Sequence, residues 1–194
     1  MMSALAQLSY DTEACNDSGQ GDDAAAIGRD GAARRALRDA LGQFATGVTV
    51  VTAAGADGRA VGVTINAFAS VSLAPPLLLW CLARSSGSLP VLRAAPCHAI
   101  NVLGSDQLEV CRRFAARGDD RFAGIAHRSG PCGTVLIDGT LAYFICRHRS
   151  VRAVGDHVLF VVEVVAYGAS PGTPLVFHGG AFADARCGRE SRAG

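Results

Sequence analysis

The chain has 194 residues, of which 49% are hydrophobic and 18% charged, and its formal net charge is +1. This length suits one domain with a continuous hydrophobic core, and the near-neutral charge favours neither nucleic acid nor an anionic membrane surface. No apolar run approaches the roughly 20 residues of a membrane-spanning helix, so no membrane association is expected.

Seven cysteines are scattered along the chain without a C-x-x-C pair, which is typical of reduced thiols in the cytoplasm. The first ten residues also lack the basic start and long apolar run of a secretory signal. We therefore expect a cytoplasmic protein. Cys146 and His148 alone are too few ligands for a closed metal site, so we expect no metal.

The N-terminal part combines a polar segment with a first helix and a first hairpin. Residues 1–30 are rich in Asp, Gly, Ala and Ser, which predicts a flexible tail. Gly47 is expected to end a short helix that precedes a strand at 48–52, and residues 54–58 are expected to form a hairpin turn. The helix is predicted from an apolar stripe at Leu37, Ala40, Leu41 and Phe44.

Residues 61–73 alternate strictly between apolar and small or polar side chains, apart from Phe68. A single strand with this pattern would place the apolar side chains in the core and the others on the opposite face. That second face is either solvated or a polar shelf for a planar ligand, and composition does not choose between them. The apolar positions are Val61, Val63, Ile65, Ala67, Ala69, Val71 and Leu73, and the others are Gly62, Thr64, Asn66, Phe68, Ser70 and Ser72.

A serine-rich loop follows a predicted buried strand at 77–82. Residues 84–88 lead into a helix-compatible segment at 89–92, which Ser88 is expected to cap. Free backbone N–H groups, hydroxyls and a helix N-terminus together suit a phosphate, although most such loops only cap a helix.

The C-terminal half predicts one further helix and five further strands. The helix is expected at 106–117, with Asp106 and Glu109 as a capping box and a buried stripe at Leu108, Cys111 and Ala115. Short strands without an alternating βαβ rhythm predict a mainly β fold, an antiparallel barrel with a few added helices. The further strands are predicted at 98–103, 134–137, 140–147, 158–165 and 174–178.

Several of these segments, in order, resemble the short-chain flavin reductase family over about residues 34–182. The resemblance implies a flavin reductase-like domain at 31–184, folded as an FMN-binding split barrel and paired in a homodimer, with a flexible end at 185–194. It also implies reduction of FMN, or FAD, by NADH or NADPH, after which the reduced flavin reaches a flavin-dependent monooxygenase or halogenase. The matching segments are Phe44–Thr52, Gly62–Phe68, Ser70–Leu73 with Pro75–Pro76, Asn101–Leu103, Arg121–Gly124 and Gly155–His157.

The same resemblance implies positions for the flavin-binding and nicotinamide-binding residues. The ring and ribityl chain would lie near Thr64, Ile65, Asn66, Ala67 and Ser70. Further backbone contacts would come from Thr46, Gly47 and Val48 and from Cys81, Leu82 and Ala83. The phosphate would bind Ser88 with Ser86 and Arg121 or Arg84, and the nicotinamide would lie beside Asp156 and His157. Many relatives have serine in place of Ala67, which puts one ring contact in doubt.

Two histidines and a basic cluster each admit a structural role as well as a functional one. His157 is expected either to orient the nicotinamide carboxamide or only to brace the turn before the last long strand. His148 is expected near an exposed turn, within a basic cluster that is solvated or contacts nicotinamide phosphates. That cluster consists of Arg147, His148, Arg149 and Arg152.

Three alternatives to the reductase remain open from the sequence. The first is a flavoprotein that retains FMN and reduces a bound protein. The second is a non-catalytic protein that stores flavin or haem in the same barrel. The third, an oxidase of a small phosphorylated substrate, is disfavoured by the Gly155–His157 segment.

Overall fold

The computed structural model describes residues 30–118 and 120–184, and the chain divides into two compact units at Gly42. In the first unit, α1 (Gly31–Leu41) begins after Asp30, whose carboxylate accepts hydrogen bonds from the N–H groups of Ala32 and Ala33. The predicted helix is confirmed, but its apolar stripe is not buried: Leu41 is 66% exposed. The predicted terminal segments at 1–30, apart from Asp30, and at 185–194 lie outside the described residues.

The described residues of the second unit are mainly β. They include two helices, α2 (Leu89–Ala94) and α3 (Leu108–Ala115). The strands are β1 (Thr46–Gly47), β2 (Thr49–Ala54), β3 (Ala60–Ile65), β4 (Phe68–Leu73), β5 (Pro76–Ala83), β6 (Cys97–Val102), β7 (His127–Ser129), β8 (Val135–Ile137), β9 (Ala142–Val154), β10 (His157–Ala169), β11 (Leu175–His178) and β12 (Ala181–Asp184). None of the helices in the described part of the chain is long and apolar enough to cross a membrane.

Seven strands form one antiparallel sheet in the order β3-β2-β6-β9-β10-β5-β4. Its two edge strands, β3 and β4, are consecutive in sequence and are joined only by Asn66 and Ala67. Six strand spacings in a flat sheet would separate these edges by about 29 Å. The link can span at most about 11 Å, so the sheet must curl and bring its edges together.

The main core lies on one face of β5 and β10. Trp80 and Phe160 are fully buried and stack with their ring centroids 4.0 Å apart. Four even-numbered residues join them in this core, whereas Leu79 and Val161, on the other face, are only partly buried. The four are Leu78 and Leu82 of β5 and Val158 and Val162 of β10. The predicted strands at 77–82 and 158–165 are therefore confirmed, although their apolar character extends to a second, incompletely covered face.

The predicted single strand over 61–73 is wrong, because the link at Asn66 and Ala67 divides it into β3 and β4. In β3 the odd positions do face the core, as predicted. In β4 the alternation is reversed, since Phe68 packs against the core while Val71 and Leu73 are 49% and 93% exposed. The two strands pair with different neighbours, so the face that points inward is set separately for each.

Helix α3 covers the even-numbered face of β3. A Cβ atom on Gly62 would lie 2.5 Å from the Phe114 ring, and the Thr64 hydroxyl donates to the Cys111 carbonyl at 2.8 Å. Of the two alternatives left open for this face, neither solvation nor an open polar shelf applies at Gly62, which is buried, and Thr64 is half-buried. Among the small or polar residues of this segment, exposure begins at Asn66.

The predicted caps and one buried position of the short helices are also corrected. Before α3, the Gln107 side chain accepts from the Gly104 N–H at 3.1 Å, so Asp106 and Glu109 do not form the predicted capping box. Ala115 is exposed instead of buried. Ser88 precedes α2, but its hydroxyl makes no capping hydrogen bond to the helix.

Candidate functional site

A basic cleft lies between the start of β3, the serine loop and the segment after α3. It has a volume of about 560 Å³ and contains three arginines and one aspartate. The Arg121 Nη1 atom donates to the Gly62 carbonyl at 2.8 Å and lies 3.5 Å from the Ser88 hydroxyl. The charged residues that line the cleft are Asp57, Arg59, Arg117 and Arg121.

Arg121, which lines this cleft, also has an unsatisfied donor. Its Nε atom is buried and has no partner within the described part of the chain. A buried donor without an acceptor costs about 1–3 kcal/mol, and an anionic oxygen is the acceptor that satisfies a guanidinium best. The Ser88 hydroxyl, itself in a buried residue, adds a second donor within reach. This arrangement fits a phosphate.

Three of the predicted ligand-binding segments lie together at the end of β5. The Cys81 N–H donates to the Ala67 carbonyl at 3.1 Å, which brings the link between β3 and β4 against β5. Ala83 is opposite His157 in the sheet, and the Arg84 N–H donates to the Asp156 carbonyl at 2.9 Å. We call the surface formed by residues 66–67, 81–83 and 156–157 the ledge.

Among the described residues, the His157 side chain has one hydrogen-bonding partner, Asp156. Its Nδ1 atom lies 2.7 Å from the Asp156 carboxylate, and its side chain is 46% exposed. The carboxylate orients the ring and favours a proton on Nδ1, which leaves Nε2 available to another group. The backbone of Asp156 also braces the turn through Arg84, so the two roles predicted for this pair are compatible.

The segment at 46–48 adjoins the ledge at Asn66, through a pocket that Val48 and Asn66 both line. Thr46 and Gly47 pair with β11, and Val48 lines a small pocket of about 170 Å³ with Thr64, Ile65 and Asn66. The Thr46 hydroxyl is buried and finds no partner among the described residues. Phe177 and Phe182 complete this pocket.

Two predicted serines, Ser70 and Ser86, line neither the basic cleft nor the small pocket. Ser70 lies in β4 opposite Leu78. The Ser86 hydroxyl accepts from the Ser88 N–H at 3.4 Å, so it shapes the loop. Arg59 and Arg117 were not predicted; their only signal in the sequence is positive charge flanking Gly58 and Gly118.

His148 does not lie at an exposed turn, contrary to the prediction. It is partly buried on β9, where its Nε2 lies 3.1 Å from the Leu92 carbonyl and its ring centroid is 5.0 Å from that of His98. His98 accepts a hydrogen bond from Trp80 Nε1 at 3.1 Å. Burial, with a smaller contribution from His148, lowers the pKa of His98 to about 3.

Comparison with known proteins gives the family. Residues 41–186 match the model of the flavin reductase like domain, so the chain belongs to this family and the predicted resemblance is confirmed. The FMN reductase (NADH) SmoA of Agrobacterium fabrum is 45% identical over 148 residues, which cover 76% of this chain and 84% of that protein. The reductase component of the flavin-dependent trigonelline monooxygenase of Acinetobacter baylyi is 40% identical and is covered over 48% of its length.

A solved structure agrees with the sequence matches. The NADH:FAD oxidoreductase SgcE6 of Streptomyces globisporus, in complex with NAD and FAD fragments, superposes with a TM-score of 0.76 at 35% identity. The alignment covers 84% of this chain and 97% of that one. The chain spans less than half the length of some curated relatives. The predicted family, that of the flavin reductase like domain, is confirmed.

Proposed function

We propose that this chain is an NAD(P)H:flavin oxidoreductase that transfers a hydride from a reduced nicotinamide to FMN. The observation that carries the proposal is the basic cleft, with its buried Arg121 Nε, at one end of the predicted flavin-binding segments. The FMN reductase (NADH) and the NADH:FAD oxidoreductase among the relatives support both kinds of ligand, and leave FAD as the alternative flavin.

Arg121 and Ser88 would hold the flavin phosphate. Charge-assisted hydrogen bonds from a guanidinium are the strong form of this contact, and the hydroxyl of Ser88 adds a second donor. Thr46, Asn66 and Ala67 and the 81–83 backbone would contact the rest of the flavin. Gly47, Val48, Ile65 and Leu82 would shape this surface through their backbone. Thr64 lines the small pocket, and its hydroxyl already donates to the Cys111 carbonyl, so Thr64 would contribute by packing.

The flavin, when bound, supplies the two-electron acceptor, and the protein supplies position and polarity. Backbone N–H groups near residues 64–67 would stabilise negative charge on the reduced ring without an ionised side chain. His157, oriented by Asp156, would present Nε2 to the nicotinamide carboxamide and hold that group in place. No side chain needs to move a proton for the hydride step.

We further propose that the curled sheet is a split barrel and that two copies pair through its outer face. Leu79, Val161 and Ala69 lie side by side across β5, β10 and β4, and all three point away from the core. Apolar residues on both faces of a strand indicate that both faces become covered. A twofold dimer would cover this second face and would place Cys81, on the same side of β5, near the interface.

Reduced flavin would leave this protein for a flavin-dependent monooxygenase or halogenase. The relative from Acinetobacter baylyi, a reductase component of a monooxygenase, supports this partner class. We propose a cytoplasmic location, consistent with the unpaired thiols of the described cysteines.

Steady-state turnover tests the proposal. Purified protein is mixed with NADH or NADPH and with FMN, FAD or riboflavin, and loss of the reduced-nicotinamide absorbance is followed under argon. We expect several equivalents of added FMN to be reduced per protein molecule. Reduction of only one tightly held equivalent would support the flavin-retaining alternative, and binding without nicotinamide oxidation would support the storage protein.

A further inference from the structure

Two cysteines and an arginine meet away from the ledge. Cys97 is the first residue of β6 and is buried, and Arg147 lies directly opposite it on β9. Cys132 lies in the 3₁₀ turn Pro131–Gly133, is exposed, and has a positive φ of 58°. Sequence pattern does not indicate this cluster, because the two cysteines are far apart in the chain and only the fold brings them together.

The three side chains lie close together. Cys97 and Cys132 line the same groove, and Arg147 is the strand partner of Cys97, so the three side chains are close enough for each to affect the pKa of the others. The hydrogen bond from Cys97 and then that from Arg147 lower the pKa of Cys132, whereas burial raises the pKa of Cys97. Cys132 is thus the exposed thiol, with a lowered pKa, and Cys97 is the buried thiol, with a raised pKa, which is the division of roles in a reactive thiol pair.

A groove gives small molecules access to this pair. Its volume is about 630 Å³, and both cysteines line it. Most of the remaining lining is apolar, from residues 94–96 and 90–91, and Asp57 is its charged member. Asp57 and Val91 also line the basic cleft, so the groove adjoins the proposed phosphate site.

We propose that Cys132 and Cys97 form a peroxide-reactive thiol pair that closes reversibly to a disulfide. The Cys132 thiolate attacks hydrogen peroxide, forming an S–O bond and releasing hydroxide, which becomes water on protonation. Cys97 then displaces the sulfenic oxygen as a second water, forming the S–S bond. Two thiols lose two electrons in total, peroxide gains them, and a dithiol restores the starting state.

The oxidant has a source that rests on the proposed function. Free reduced flavin reacts with dioxygen to give oxidised flavin and hydrogen peroxide, so a flavin reductase without its partner oxygenase would generate peroxide in its own surroundings. The test below uses added peroxide, so its outcome does not depend on reductase activity.

Peptide mapping after treatment with hydrogen peroxide tests the pair. In the wild-type chain we expect a peptide linking Cys97 to Cys132, two hydrogens lighter than the separate peptides and restored by dithiothreitol. In Cys97→Ser, Cys132 should accumulate as a sulfenic acid that dimedone traps. In Cys132→Ser, oxidation of Cys97 should slow at least about tenfold, because burial limits the access of peroxide to Cys97 and raises the pKa of its thiol.

Arg147→Met measures the contribution of the guanidinium, with Arg149→Met as the matched control on the same strand. Iodoacetamide labelling of Cys132 across pH should shift to higher pH in Arg147→Met and stay unchanged in Arg149→Met. Peroxide oxidation of Cys97 at the wild-type rate in Cys132→Ser would overturn the proposal. So would oxidation of Cys132 that never yields the link to Cys97.

Discussion

Replacement of Arg121 by methionine separates phosphate recognition from binding of the flavin ring. The change keeps much of the aliphatic stem and removes the guanidinium that faces Gly62 and Ser88. A hydrogen bond to a charged group contributes about 1.5–3 kcal/mol, and each 1.4 kcal/mol is a factor of ten in affinity. We therefore expect the Kd for FMN to rise about 10- to 150-fold.

Riboflavin, which lacks the phosphate, provides the internal control for this variant. Its Kd should change by less than about twofold, since the ring contacts remain. Arg113→Met removes the same charge from an exposed position on α3 that does not line the cleft, and it should leave both affinities nearly unchanged. Flavin fluorescence titration measures all four quantities. Equal losses for FMN and riboflavin, or no loss for FMN, would refute the placement of the phosphate.

Three further predictions concern the nicotinamide, acid stability and packing. His157→Ala should raise the KM for the nicotinamide or lower kcat while the FMN Kd stays nearly fixed; loss of flavin binding would instead indicate that His157 only braces its turn. Burial lowers the pKa of folded His98 to about 3, whereas His98 in the unfolded chain is protonated below about pH 6.5. Protonation therefore favours the unfolded chain, and the free energy of unfolding should fall by about 2 kcal/mol between pH 7.5 and pH 5 because of this group. Urea titrations of His98→Gln should lack this part of the pH dependence, and an identical dependence would contradict it. Gly62→Ala should cost about 1–3 kcal/mol because its Cβ would meet the Phe114 ring, and Phe114→Leu in the same chain should recover part of that loss; a neutral Gly62→Ala would contradict the packing.

The long strands were predictable where the apolar pattern is strong. The core residues of β2, β5 and β10 lie in strands predicted from the sequence, because burial and β-propensity agree there. The strands of the β9–β10 hairpin are longer than predicted, because the sequence around residues 148–154 is rich in arginine and gives no strand signal. There the ladder continues although most side chains are exposed, and hydrophobic pattern carries no signal for such a segment.

The shortest strands were missed for a similar reason. β1 and β7 have two and three residues, too few to show a period of two. β12 had a usable signal: Gly179 and Gly180 both have positive φ, as expected of a two-residue hairpin turn. A Gly-Gly pair between two apolar runs should have been interpreted as a hairpin.

Part of the candidate site could be predicted from the sequence. Ser88 and Arg121 lie 33 residues apart, and only the family resemblance suggested that both hold one phosphate; the fold brings them within 3.5 Å. The loss of the open shelf at Thr64 was not foreseeable, because it follows from α3 folding back over β3. Helix position is a long-range property that alternation within one strand does not encode.

A crystal structure with FMN bound would test the central claim most directly, through the distance from the flavin phosphate to the side chains of Arg121 and Ser88. We predict that phosphate oxygens lie within about 3.2 Å of the guanidinium and the hydroxyl, with the ring against Asn66 and Ala67. FMN bound with its phosphate outside the basic cleft would contradict the account.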